Sequence, residues 1–408
     1  MSTFEKRSLF VLLAAMLAIA CGDDGDDDGT VDAGTGDAGG DVSDDCISAA
    51  PLLQYTLAEA TERVADTWIA DNPALDMAWD WGEGVLAFGM MEVAEVTGDT
   101  RYRDYIQTYV EFHQGRDDLV IDWSDRLTPA LSAALLLQRS EAEVTDIVGR
   151  AIEYITDIAP RASNQGILHL GLMPDMLNLA DLWVDSLFHL GPLLARYAEI
   201  TDDSSFLDEA VSQTLIFARV LQDPASDLIT HAWKDLPDDV QVPPFEDRLF
   251  WARGNSWMLA TMVDLLAVLP ESHPDHAELS QRTLDLEAAV RATQSDSGLY
   301  HTLLLDPETY LETAGSGLIT YAMARGARLG IFGAETAQAA QRGVDGLLTV
   351  LVPGQEEGAV EVDCTSLGTL PIGFAYPDVP REAQVSYGVG AWLLTASEFL
   401  RADSARAQ

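Results

Sequence analysis

Cysteine and positive charge are what this 408-residue chain has least of. Its three cysteines, Cys21, Cys46 and Cys364, make no pair or quartet at zinc spacing, so the sequence implies no metal site. Lys and Arg number 23 against 67 Asp and Glu, a formal charge of −44. So negative a chain argues against nucleic acid or anionic membrane as partner, and for solubility outside the cell. Strand-like alternation is scarce. The apolar run Leu9–Ala20 near the start is too short to remain as a membrane span.

That run has its own meaning. Lys6 and Arg7 precede it and Cys21 follows, the layout of a signal peptide. Leu17-Ala18-Ile19-Ala20-Cys21 looks like a bacterial lipobox, in which the cysteine is diacylated and becomes the first mature residue. Residues 1–20 are therefore expected to be a lipoprotein signal peptide, and 21–46 a lipidated cysteine with an acidic tether. Ten aspartates among Gly, Ala, Ser and Thr in 22–45 leave too little apolar surface to offset the entropy of ordering. Membrane contact is expected only through Cys21, with the protein in the bacterial envelope facing periplasm or exterior. Residues 47–408 form one domain, long for a single compact core but normal for a closed helical toroid. Cys46 and Cys364 can bridge or stay unpaired.

Apolar residues of the domain recur at helical spacing and are broken by Gly, Pro and Asp clusters. Helices are expected at 52–70, 82–97, 100–113, 127–139, 142–158, 183–200, 203–221, 251–269, 275–293, 315–330, 334–352 and 386–402. Twelve helices are six hairpins, an all-α (α/α)6 toroid. Some connectors are short and carry cap signals, as in Thr97-Gly98-Asp99 and Thr201-Asp202-Asp203. The long ones, such as 114–126, 159–182, 222–250, 294–314 and 353–385, precede the even-numbered helices and hold nearly all the tryptophans. Loops of that kind usually carry function.

If inner and outer helices alternate, the N-termini of all even helices lie at one end. Six segments then meet there: Trp79–Gly84, Trp123–Arg126, Trp183–Asp185, Phe250–Trp257, Glu312–Gly317 and Ser386–Gly390. Aromatic walls suit the apolar faces of sugar rings, and free helix amides suit a carboxylate. The expected ligand is an acidic sugar.

These same segments resemble the unsaturated glucuronyl and rhamnogalacturonyl hydrolases, glycoside hydrolase families 88 and 105, and the second most strongly. The likeness runs from about residue 75 to 400. It rests on Trp81-Gly82 with Thr97-Gly98-Asp99, Trp183-x-Asp185, His231-Ala232-Trp233, Phe250-Trp251-Ala252-Arg253, Tyr310-Leu311-Glu312 with Gly315-Ser316-Gly317, and Tyr387-Gly388-Val389-Gly390-Ala391. The resemblance implies that Asp185 is the general acid and base, and that His231, Trp251 and Arg253 help hold the sugar. It implies an oligosaccharide ending in an unsaturated uronide as substrate, and no cofactor. Asp185 would protonate C4 of the double bond, water would add at C5, and the hemiketal would open and release the aglycone. That role calls for a raised pKa, which Trp183, Leu182 and Leu187 are expected to provide by desolvation.

Trp81, Asp125, Trp183, His189, His231, Trp251, Arg253, Trp257 and Tyr387 complete the expected substrate-binding set. Each has a plainer reading. Asp185 can serve the dipole of its helix, Arg253 a surface ion pair, His189 and His231 the core, and the tryptophans barrel packing. The chain also departs from the family pattern. Relatives carry a second aspartate near Thr128 and Pro129, where only Asp125 or Asp122 can substitute, and Tyr387 stands where many have histidine. Lyases and epimerases share such toroids, and a non-catalytic lipoprotein that captures acidic oligosaccharides is the rival of another class.

Overall fold

The computed structural model describes residues 47–48, 51, 54–173, 180–235 and 249–406, without the side chains of 373–375 and 403–406. Cys21, Cys46 and the expected signal peptide and tether lie outside the described residues. Cys364 is disulfide-bonded.

The described residues form twelve α-helices: α1 Leu57–Asp71, α2 Trp81–Thr97, α3 Thr100–Gln114, α4 Thr128–Gln138, α5 Thr145–Glu153, α6 Asp185–Thr201, α7 Ser205–Leu221, α8 Ala252–Leu266, α9 His276–Arg291, α10 Thr313–Arg328, α11 Ala334–Leu347 and α12 Ser386–Arg406. Their boundaries follow local chemistry. Thr56 and Glu59 form a capping box at α1, Asp99 caps α3, and Gly98, at φ +72°, ends α2. Asp202 ends α6 in the same left-handed conformation, at φ +54°.

The even helices close a ring in the order α2, α4, α6, α8, α10, α12 and back to α2, and the odd helices pack outside it. Composition decides which layer a helix joins. In α8 every residue from Ala252 to Leu265 is buried, whereas α5 buries only Ile147, Val148, Ala151 and Ile152. A helix apolar all round belongs inside; one with a single apolar stripe belongs outside. The closing contact between α2 and α12 depends on glycine. A Cβ on Gly390 would lie 2.6 Å from the backbone of Val85, and one on Gly89 would lie 2.8 Å from the carbonyl oxygen of Gly390.

Four two-stranded antiparallel ribbons sit in or beside the long connectors: β1 Leu182–Trp183 with β2 Ala232–Trp233, β3 Tyr300–His301 with β4 Leu311–Glu312, β5 Leu351–Pro353 with β6 Val360–Val362, and β7 Thr365–Ser366 with β8 Arg381–Glu382. They trim several expected helices. Trp183 pairs with Ala232, so α6 starts at Asp185 and not at 183. The fifth helix ends in a π turn at Tyr154–Ile158, and the eleventh gives way to β5.

One end of the ring is closed by charge. Arg325 meets Asp264 at 2.5 Å, Arg401 meets Glu92 at 2.7 Å, and Arg328 pairs with the buried Glu398. Among the described residues no helix is long and apolar enough to cross a membrane.

Candidate active site

The first turns of the inner helices converge at the other end. Trp81 of α2 stacks on Tyr387 of α12 at 4.3 Å and meets Trp257 of α8 edge-on at 6.2 Å. Arg253 of α8 lies over the Tyr387 ring at 5.2 Å and within 3.6 Å of Glu312, the N-cap of α10. Ser186 of α6 donates to Ser124 in the 3₁₀ turn Ser124–Leu127 that leads into α4.

Asp185 stands at the start of α6 with its side chain 18 % exposed. His231, just before β2, places Nε2 3.2 Å from Asp185 Oδ2, yet neither atom has a well-directed hydrogen bond. His231 stacks on Trp251 at 4.2 Å, and Trp183 meets it edge-on at 5.8 Å. Asp125 is buried behind these groups. His189 Nδ1 lies 3.4 Å and His169 Nε2 3.6 Å from its Oδ1. His169 stacks on Trp183 at 4.3 Å and bonds Ser186 Oγ at 3.0 Å. Both ring nitrogens of His189, Nε1 of Trp251 and Trp257, and Nε of Arg253 also lack hydrogen-bond partners. Orphaned buried polar atoms are rare, and so many on one floor mark a surface built for a polar guest.

The electrostatics reverse one expectation. Burial by itself raises Asp185, but His231, with His169 and His189 behind it, outweighs burial and holds the carboxyl below the usual range. Desolvation thus acts in the direction the sequence suggests, but the histidines set the sign. Burial pushes His169 down to about 3 and His189 down to about 4, so both are uncharged at neutral pH and His231 is the partner that counts there. Asp125 is raised well above the ordinary value, by burial first and then by Asp80 and Asp185. Burial also takes Glu83 up to about 7. The floor thus carries two carboxyls pushed in opposite directions, Asp185 down and Asp125 up.

The structure brings together Trp81, Asp125, Trp183, Asp185, His189, His231, Trp251, Arg253, Trp257 and Tyr387. Asp125 sits beside the histidines, whereas Asp122 gives its backbone carbonyl to Leu172 N at 2.8 Å. Trp257 is fully buried beneath Trp81. Arg253 is 1 % exposed, and its fork already donates to Ser366 O, Leu367 O and Thr369 Oγ1 while facing Glu312. Two helix ends carry their own carboxylates, Asp80 on α2 and Glu312 on α10; α6 and α8 have no side-chain cap. Sequence reasoning missed His169 and Tyr376. The first had a signal, since histidine is scarce here and His169 lies in a long loop before an even helix; the second had none.

Asp125 also links the site to stability. Its folded pKa lies above the unfolded ~3.9, so the native state keeps a proton that the unfolded chain loses. The stability tied to this group is full below about pH 4 and is lost as pH rises through the folded value. Asp125→Asn, with no proton to lose, is expected to gain stability over the parent as pH rises from about 4 towards the folded value. Thermal melts across that range check it; a difference that does not change with pH refutes the assignment.

A ring of six helix hairpins, with a carboxyl pair under an aromatic funnel at one end, defines an (α/α)6 glycosidase. Residues 58–403 match the model of Glycosyl Hydrolase Family 88, and the chain belongs to that family. An unsaturated rhamnogalacturonyl hydrolase of Bacillus subtilis is 24% identical over 344 residues, 84% of this chain and 96% of the relative. An unsaturated 3S-rhamnoglycuronyl hydrolase of Formosa agariphila is 25% identical over 370 residues, 86% of this chain and 92% of its own. The crystal structure of a possible member of family 105 from Salmonella enterica superposes with a TM-score of 0.75 at 24% identity, covering 88% of this chain and 99% of that one.

Proposed function

We propose that this glycosidase removes a terminal 4,5-unsaturated uronic acid from lyase-generated oligosaccharides by hydrating the C4=C5 bond. The observation that carries the reading is the carboxyl pair on one floor: Asp185 3.2 Å from His231, and Asp125 behind it 3.4 Å from His189 and 3.6 Å from His169, with burial and the histidines pushing the two acids in opposite directions. Opposite shifts of two neighbouring acids are how a site stores a proton for acid–base work. The substrate's own carboxylate brings a further negative charge, raises Asp185 by repulsion and draws the shared proton to it. Asp185 then gives that proton to C4, water adds to C5, and the hemiketal opens to a 4-deoxy keto acid as the aglycone leaves.

Trp81 on Tyr387 offers a platform for the sugar ring, with Trp183 and Trp251 as walls and Trp257 below. His189 and His231 orient the acids. Arg253 supplies the positive field of its wall while its hydrogen bonds hold 366–369. The reaction consumes the double bond, so the ultraviolet absorbance of the unsaturated disaccharide is expected to fall on incubation. A rise would indicate a lyase; binding without change would indicate a capture protein. A panel of lyase-digested polysaccharides also identifies the parent glycan.

The same reading places the enzyme on a lipid anchor at Cys21, supported by the lipobox-like run before it. Cys21→Ser should abolish membrane partitioning in cell fractionation, and an unmutated protein already fully soluble would defeat the assignment.

A further inference from the structure

Residues 367–380, the connection from β7 to β8, reach from Arg253 to the loop ahead of α6. Arg253 donates to Leu367 O and Thr369 Oγ1, and Leu370 packs against Ala180, Trp183 and Ala232. The 3₁₀ turn Gly373–Asp378 in this segment delivers Tyr376, 2 % exposed, to the site. Its Oη lies 2.6 Å from His231 Nδ1, 145 residues away in sequence. The turn is fixed from behind, because Tyr310 Oη donates to the backbone carbonyl of Tyr376 at 3.3 Å.

We propose that Tyr376 is a positioning residue for the hydration described above: its hydroxyl fixes which nitrogen of a neutral His231 carries the proton, and so governs the proton on the Asp185 carboxyl that Nε2 faces. The inference rests on Asp185 as the proton donor. Burial, with the charge of Asp185 adding to it, holds the Tyr376 phenol well above its ordinary pKa, so the hydroxyl keeps its hydrogen. Among the described residues that hydrogen has no acceptor but His231 Nδ1. A neutral His231 that accepts at Nδ1 carries its own proton on Nε2. A doubly protonated His231 donates from Nδ1 to the phenol oxygen and still has Nε2–H. Either way an N–H faces Asp185 Oδ2 across 3.2 Å, which favours the carboxylate. With Tyr376 removed, Nδ1 can hold the proton of a neutral His231, and a bare Nε2 then favours protonated Asp185.

The remaining neighbours do not make this choice. Trp251 and Trp183, packed against the imidazole, do not titrate. Around Asp185, burial leaves His169 and His189 uncharged at neutral pH and pushes Asp125 towards its neutral form. The charge of Arg253 is answered by Glu312. Tyr376 therefore holds Asp185 as a carboxylate until the substrate supplies the repulsion that protonates it.

Tyr376→Phe tests this, since it deletes the hydroxyl and keeps the ring. ¹⁵N spectra of histidine-labelled protein near neutral pH, with the His231 signals assigned by their loss in His231→Gln, read the tautomer directly. The parent should show Nε2–H, and Tyr376→Phe should populate Nδ1–H. The high-pH limb of kcat, which reports the substrate-bound enzyme, should move up by about one pH unit, the size of shift a single hydrogen-bonding partner produces. In a His231→Gln background, adding Tyr376→Phe should leave that limb where His231→Gln alone puts it. An unchanged tautomer, an unchanged limb, or an equal shift in both backgrounds overturns the proposal. Absence of any turnover in the parent counts against the functional reading alone, and the tautomer then decides the role of Tyr376 by itself.

Discussion

Asp185→Asn is expected to slow turnover of an unsaturated disaccharide by ~10²–10⁴-fold while binding and melting temperature stay close to the parent's. Asparagine keeps the shape of the side chain and loses the proton. The fold has little invested in this group, because Oδ2 has no well-directed hydrogen bond and the side chain opens to the funnel. Binding should hold because the aromatic platform is untouched. The comparison to make is with Asp125→Asn and Asp122→Asn under the same assay. Asp125 lies against the site histidines and should also be costly, whereas Asp122 contributes its backbone carbonyl to Leu172 N and should cost little. An Asp185→Asn enzyme within about tenfold of the parent would retain too much rate for a lone proton donor, and the proton would have to come from another group.

Arg253→Ala is expected to cost the fold ~3–5 kcal/mol, because it leaves a buried charge without its partner. Glu312 is fully buried, and burial is the main influence on it, with Arg253 opposing. The Glu312 carboxylate keeps its bonds from Ala314 N at 2.6 Å and Gly315 N at 2.9 Å, but its cation is gone. Three donors to residues 366–369 are lost as well. Adding Glu312→Gln should recover part of the loss by removing the stranded charge, which a merely space-filling role for Arg253 would not produce. Thermal melts of the two variants and the double variant decide; a single variant as stable as the parent refutes the clamp. The sequence points to Arg253 as the cation that answers a substrate carboxylate. In the fold its fork already has partners, so its first effect is on the segment that carries Tyr376.

Much of the scaffold could be read directly. Gly98 and Asp202 end helices where Thr97-Gly98-Asp99 and Thr201-Asp202-Asp203 predict it, because a left-handed terminator acts within a few residues. The convergence of Trp81, Asp185, Arg253 and Tyr387 at one end also follows from helix count and alternation. The start of the sixth helix was placed two residues early, since Trp183 is drawn into a ribbon with Ala232, a pairing that nothing local specifies.

The sequence by itself determined the twelve helices, their alternation between an all-apolar inner layer and a striped outer one, and the loops that hold the chemistry. Those features are local: periodicity, caps and breakers act over one or two turns. Only the tertiary structure decided which aspartate joins Asp185, that the two carboxyls are pushed in opposite directions, that Arg253 is clamped, and that Tyr376 reaches His231. Each of these depends on charges and hydrogen bonds acting through space between distant segments, in a site where burial and a single neighbouring histidine push a carboxyl in opposite directions.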